Sequence, residues 1–103
     1  MGDRLDGTRA LASSAAGPAD SACPAEVASY PWPVAEACAV SYCESRWQAD
    51  AIGGDNWGYF QIWSGWARYY GVPVHDLLAP ATNVRVAYAI WRENGWGPWA
   101  CKP

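Results

Sequence analysis

Four cysteines do most to limit what this chain can become. Cys23, Cys38, Cys43 and Cys101 stand in a chain of 103 residues, and four cysteines allow three pairings. No CxxC pair occurs and His75 is the single histidine, so no metal site is expected. Two disulfides are expected, and with them an oxidising, extracytoplasmic setting. Geometry removes one pairing. Cys38 and Cys43 lie five residues apart in a segment that reads as helix, a rise of about 7.5 Å, beyond the ~7 Å Cα separation that a bridge can span. Two pairings stay open on that ground.

The cross-links matter because the packable part of the chain is short. The opening stretch, "MGDRLDGTRALASSAAGPADSACPAEV", is rich in Ala, Ser, Gly, Pro and Asp and has no aromatic residue. It shows no apolar periodicity that could pack. All eight tryptophans lie from Trp32 onward. Residues 1–30 are therefore expected to be a flexible tail or linker, and 31–103 a single packed domain. A core of that size is marginal without staples. The N-terminus carries Asp3, Arg4 and Asp6 and no long apolar run, so no signal peptide is legible. Either a removed leader or another export route, such as delivery by a phage particle, is expected. No apolar run approaches the ~20 residues of a membrane helix.

Net charge is −3, and residues 31–103 hold five basic and six acidic side chains, hence −1. That balance gives no electrostatic footprint for nucleic acid or an anionic membrane. A partner must be held by shape, stacking and hydrogen bonds.

Along the chain, Val34 to Ser45 contains no helix breaker and follows Pro33, which predicts a mostly buried helix. "AIGGDNWGYFQIW" joins Gly-Gly-Asp-Asn turn chemistry to aromatic and β-branched residues. It predicts a short hairpin with its return strand near residues 56–60. "SGWARYYG" predicts a short helix closed by Gly71, and "PVHDLLAP" a helical turn. "PATNVRVAYAIWREN" predicts the longest helix, stopped at Gly95, with Val84, Ala87 and Trp91 on one side and Val86 and Ile90 adjacent. "GWGPWACKP" reads as an irregular tail pinned by Cys101.

Few side chains here can do chemistry. Glu44 sits among Ala37, Ala39, Val40 and Cys43. Desolvation there would raise a carboxyl pKa and keep a proton available for general acid catalysis. The local sequence taken alone better fits a glutamate on a wet helix face, paired with Arg46 or Arg92. Fifteen residues are Trp, Tyr or Phe; such faces fill small cores and also stack on sugar rings. Gly58 permits a close approach, and Gln61 beside it can donate to and accept from a sugar. His75, between Val74 and Asp76, reads as a surface histidine. A cysteine nucleophile is unattractive if all four cysteines are oxidised, and no nucleophile elbow or phosphate loop is present.

The order of the motifs is more specific than any one of them. "CES", "GYFQI" fourteen residues after the glutamate, "PATNVRVAYAIW" and "GWGPWAC" together resemble the lysozyme-like superfamily. More narrowly, residues 32–101 resemble the small bacterial transglycosylase-type domains and their relatives, the resuscitation-promoting factors. The resemblance implies a mainly helical α+β fold with a cleft beside a small β-hairpin. It implies cleavage of the β-1,4 bond between N-acetylmuramic acid and N-acetylglucosamine in peptidoglycan, by a monomer without cofactor, outside the cell or in the wall.

Carried onto this sequence, the resemblance makes Glu44 the catalytic acid and Ser45 a structural serine. Gly58 and Gln61 line the cleft floor, with Asn56, Trp57, Tyr59 and Tyr88 completing the candidate sugar-contacting set. Asn83 opens the long helix in a structural role. Relatives that keep only the "CES" and terminal cysteines imply Cys43–Cys101, which leaves Cys23–Cys38. The chain departs from the pattern in one respect. In animal lysozymes a second acid lies two residues before the glycine matching Gly58, and that position here is Asn56. Asp55 is next door but on the opposite strand face unless a bulge intervenes. The second acid is therefore either absent or Asp55 in shifted register. Its absence would favour the transglycosylase route, in which Glu44 is acid and then base and the sugar closes a 1,6-anhydro ring; Asp55 in that role would give a water-using lysozyme. A late Ala-Tyr-Asn segment is also missing, as in the shorter family members. Two readings of other classes compete: a non-catalytic wall-glycan binding module on the same fold, and a disulfide-stapled interaction or inhibitor domain.

Overall fold

Two prolines start the first two helices. Pro24 precedes α1 (Ala25–Ala28) and Pro33 precedes α2 (Val34–Ser45); a preset φ suits a helix start, where the missing N–H costs no hydrogen bond. The computed structural model describes residues 22–103. After α2 come β1 (Ile52–Gly53), β2 (Asn56–Trp57) and β3 (Ile62–Trp63), an antiparallel sheet in the order β1-β2-β3. Then follow α3 (Ser64–Tyr69), a 3₁₀ helix (Val74–Leu78) and α4 (Pro80–Asn94). The architecture is α+β and mainly helical.

α2, α3 and α4 stand where the sequence predicts them. Gly71 and Gly95 follow the last two with φ of 70° and 63°, left-handed values that glycine adopts without a Cβ penalty. Val84, Val86, Ala87 and Ile90 of α4 are buried and meet Val40, Phe60, Ile62 and Leu77 in one core.

The strand region differs from the expectation. β2 is only Asn56–Trp57, and a third strand, β3, completes the sheet. Gly58 (φ 77°) turns the chain out of β2, and the Gln61 N–H returns to the Gly58 carbonyl at 3.0 Å. The residues between them are a turn, not the return strand.

The tail boundary also moves. Val27 on α1 is fully buried and its carbonyl accepts the Trp32 indole N–H at 2.9 Å. Cys23 is bonded to Cys38, with Cα atoms 5.8 Å apart. The packed unit therefore reaches back to Cys23, and residues 23–30 belong to it. The expectation of a flexible tail over residues 1–21 lies outside the described residues. Removing residues 1–21 is expected to leave the thermal midpoint unchanged. Removing residues 1–30 discards a 15-residue disulfide loop and a buried valine, a loss of about 5 kcal/mol. Paired melting curves of the two truncations check this.

The second disulfide is Cys43–Cys101, with Cα atoms 6.0 Å apart and a sequence separation of 58. In the chain-entropy picture a loop of that length stabilises by about 4 kcal/mol. It ties the end of α2 to the C-terminal segment. Both pairings are those the resemblance implied, and no described cysteine is free.

Candidate active site

Glu44 occupies the last turn of α2, and the chain leaves that helix abruptly. Arg46 and Trp47, the residues after Ser45, have φ of 56° and 57°. Left-handed backbone is unusual for bulky side chains, so other contacts must hold it. The Trp47 indole N–H donates back to Ser41 Oγ at 3.1 Å and the Cys38 carbonyl at 3.3 Å. The Arg46 guanidinium lies 4.9 Å from the Tyr42 ring centroid. Ser45 is buried and its hydroxyl donates to the Ser41 carbonyl at 3.1 Å, a structural bond within the helix.

The apolar residues around Glu44 in sequence do not bury it; its side chain is part-buried. The Cys101 backbone N–H donates to Glu44 Oε2 at 3.1 Å. Because Cys101 is bonded to Cys43, the disulfide fixes the donor that orients the carboxylate beside it. Two residues earlier, the buried Trp99 donates its indole N–H to the Phe60 carbonyl at 2.9 Å. The 99–101 segment thus joins the Glu44 end of α2 to the turn of the sheet. Sequence reasoning pinned Cys101 but missed its N–H as a partner of Glu44; the implied Cys43–Cys101 bond was the signal for that proximity.

Gln61 (φ 47°) stands in the same turn, next to Phe60. Its side-chain amide donates to the Ala51 and Gly58 carbonyls, both at 3.1 Å. Both N–H groups are engaged in holding the turn, which leaves the carbonyl oxygen as the group not used by these bonds. With Ile62, Trp66, Ile90, Pro98 and Trp99, Gln61 lines a shallow surface depression.

Gly58 is buried, and protein, not ligand, makes the close approach. The Asn83 amide and the Leu77 carbonyl stand where its Cβ would be. Asn83 is fully buried. Its Oδ1 accepts the Phe60 N–H at 3.0 Å, and its Nδ2 donates to the carbonyls of Trp57 at 2.8 Å and Leu77 at 2.9 Å. One side chain therefore binds α4, the 3₁₀ helix and the sheet turn together.

Asp55 is the turn residue between β1 and β2. Its Oδ2 accepts from the Ser64 hydroxyl, and its Oδ1 from the Trp57 indole N–H at 3.0 Å. The Ser64 and Trp57 hydrogen bonds, with help from Arg68, hold the Asp55 carboxyl below the usual carboxylate range. The depressed folded value means that this contribution to stability is present above the unfolded pKa near 4 and is lost as pH falls through the folded one. Acid unfolding of the parent should show that loss, and Asp55→Asn should blunt it.

The remaining candidates divide. Asn56 is exposed on the sheet, paired with Gly53 and Trp63. Trp57 is turned toward Asp55 and meets exposed His75 edge-on at 5.4 Å. Tyr59 is half-buried; burial, then the Glu26 carboxylate of α1, raises its pKa. The Tyr88 ring packs on Tyr30 at 4.8 Å and Trp91 at 5.9 Å and meets Trp32 at 5.6 Å. That aromatic cluster reaches the sheet turn through the Trp32–Phe60 contact. Tyr59 and Tyr88 thus serve the α1–α4 side, while Asn56 and Gln61 stand with the sheet.

Among the described residues, no three or more His, Cys, Asp or Glu side chains converge on a metal-sized site. None of the described helices is long and apolar enough to cross a membrane. The chain matches no family model, no curated protein and no solved structure.

Proposed function

We propose that this chain is a peptidoglycan-cleaving muramidase of the lysozyme-like kind, acting outside the cytoplasm, with Glu44 as the group that protonates the leaving glycosidic oxygen. The observation that carries the reading is the placement of that carboxylate. It is part-buried, oriented by the Cys101 N–H, and joined through residues 99–101 to the turn that carries Gln61. The ordered motifs "CES", "GYFQI", "PATNVRVAYAIW" and "GWGPWAC" support it, as do a long helix, a small antiparallel sheet and a second long helix in that order.

In this reading Glu44 first donates its proton to the oxygen between the two sugars, and the C–O bond on the muramic side breaks. The carboxylate that remains then removes a proton from the hydroxyl that attacks the cationic sugar. A retaining or inverting glycosidase needs a second carboxylate to stabilise that cation or activate water. Asp55 is engaged by Ser64 and Trp57, which favours attack by the sugar's own 6-hydroxyl. The product is a 1,6-anhydro ring, one water lighter than a hydrolysed end. A peptidoglycan zymogram of the parent and Glu44→Gln tests the assignment. A clearing band from the parent that the variant lacks is expected. Equal clearing removes Glu44 as the acid, and no clearing from the folded parent contradicts cleavage and leaves the binding-module reading.

A further inference from the structure

Trp63 is the most exposed tryptophan that the sheet carries, at 54%, and its ring is not loose. Three consecutive carbons of its benzo ring lie almost equally close to where a Gly65 Cβ would stand. Only a ring face, not an edge, meets a point in that way. The indole is therefore laid flat over a glycine, while more than half of the residue's surface stays exposed. Glycine is unfavourable inside a helix, yet Gly65 belongs to α3; any side chain there would lift the ring.

Register places this indole in a row. Gly53, Asn56 and Trp63 are successive partners across the three strands, so they project from the same face of the sheet. At the Gly53 end of the row, Gln61 Oε1 stands 2.7 Å from the position of a Gly53 Cβ. The face thus runs from an exposed indole, past the Asn56 amide, to the Gln61 carbonyl oxygen. Two strand spacings make about 10 Å, a span of the order of a disaccharide. Its polar groups are neutral amides, and the nearby Asp55 carboxylate is turned to Ser64 and Trp57.

We propose that the Trp63 indole is a stacking platform for one pyranose ring of a neutral, β-linked N-acetyl amino-sugar strand, whose next units run across Asn56 toward Gln61. The C–H face of a β-linked pyranose carries weak positive charge and suits the negative face of an indole. Asn56 and Gln61 then address acetamido and hydroxyl groups further along. The platform extends the muramidase reading to a named residue that binds the strand away from Glu44, and it rests on that reading for the direction of the strand.

The test separates the two. Binding of the N-acetylglucosamine hexamer is measured by calorimetry in a Glu44→Gln background, with and without Trp63→Ala, Trp63→Phe and Gly65→Ala. Cleavage of purified sacculi is measured with Glu44 intact. An aromatic face contact corresponds to roughly threefold to tenfold in affinity. Trp63→Ala and Gly65→Ala should each weaken hexamer binding by that factor, and Trp63→Phe should restore most of it. Gly65→Ala should do so with an unchanged or raised melting temperature, since alanine favours the helix. Hexamer affinity equal to the background in a folded Trp63→Ala overturns the platform even if sacculi are cleaved. So does a Glu44→Gln protein that binds no hexamer. Trp63-dependent binding by a protein that cleaves no sacculi upholds the platform and removes the muramidase reading.

Discussion

Glu44→Gln is expected to give a folded protein that has lost wall cleavage. Glutamine keeps the shape of the side chain and can still accept the Cys101 N–H that meets Oε2 at 3.1 Å. It cannot give a proton to the leaving oxygen. A positioned general acid contributes about 10²–10⁴-fold, and loss of the sole acid should lie at the upper end. The control is the fold: circular dichroism and the melting temperature should match the parent. A folded Gln variant that clears walls at the parent rate would remove Glu44 from the chemistry.

Asn83→Ala is expected to have the largest effect on stability of any single polar substitution. It strands the Phe60 N–H and the carbonyls of Trp57 and Leu77, which Asn83 now satisfies. Each buried group left without a partner costs about 1–3 kcal/mol, so the loss should be about 4 kcal/mol or more. That is a large share of the ~5–15 kcal/mol that holds a domain together. Gly58→Ala should fall in the same class, because its Cβ would occupy the space of the Asn83 amide in a left-handed backbone. Urea unfolding measures both. A shift of under about 1 kcal/mol for Asn83→Ala would show that water can replace the amide.

What the sequence made legible follows from where its signals are strong. α2 and α4 were readable because long breaker-free segments end at Pro, Gly or turn residues, and Gly95 marks its stop. Asn83 was readable only as a structural residue of the resemblance; its three partners lie up to 26 residues away in sequence. The strands hold two residues each, too short for any alternation to register. The left-handed Arg46, Trp47 and Gln61 carry no glycine to announce them. α1 was hidden because "AEVA" lies in a stretch of tail-like composition, although the implied Cys23–Cys38 bond already drew that stretch into the core. Glu44 was expected to be desolvated by its sequence neighbours, yet helix position and the 99–101 segment decide its surroundings. The aromatic load divides between core and surface: Trp32 and Trp99 are buried at 5% exposure, and Trp63 is exposed at 54%.

The measurement that bears most directly on the central claim is mass spectrometry of the soluble fragments released from purified sacculi. The placement of Glu44, together with an Asp55 already engaged in the hairpin, predicts disaccharide muropeptides ending in 1,6-anhydro muramic acid, released by the parent and not by Glu44→Gln. Fragments ending only in reducing muramic acid would contradict the anhydro route and return Asp55 to the chemistry. No fragments at all from the folded parent would contradict cleavage itself.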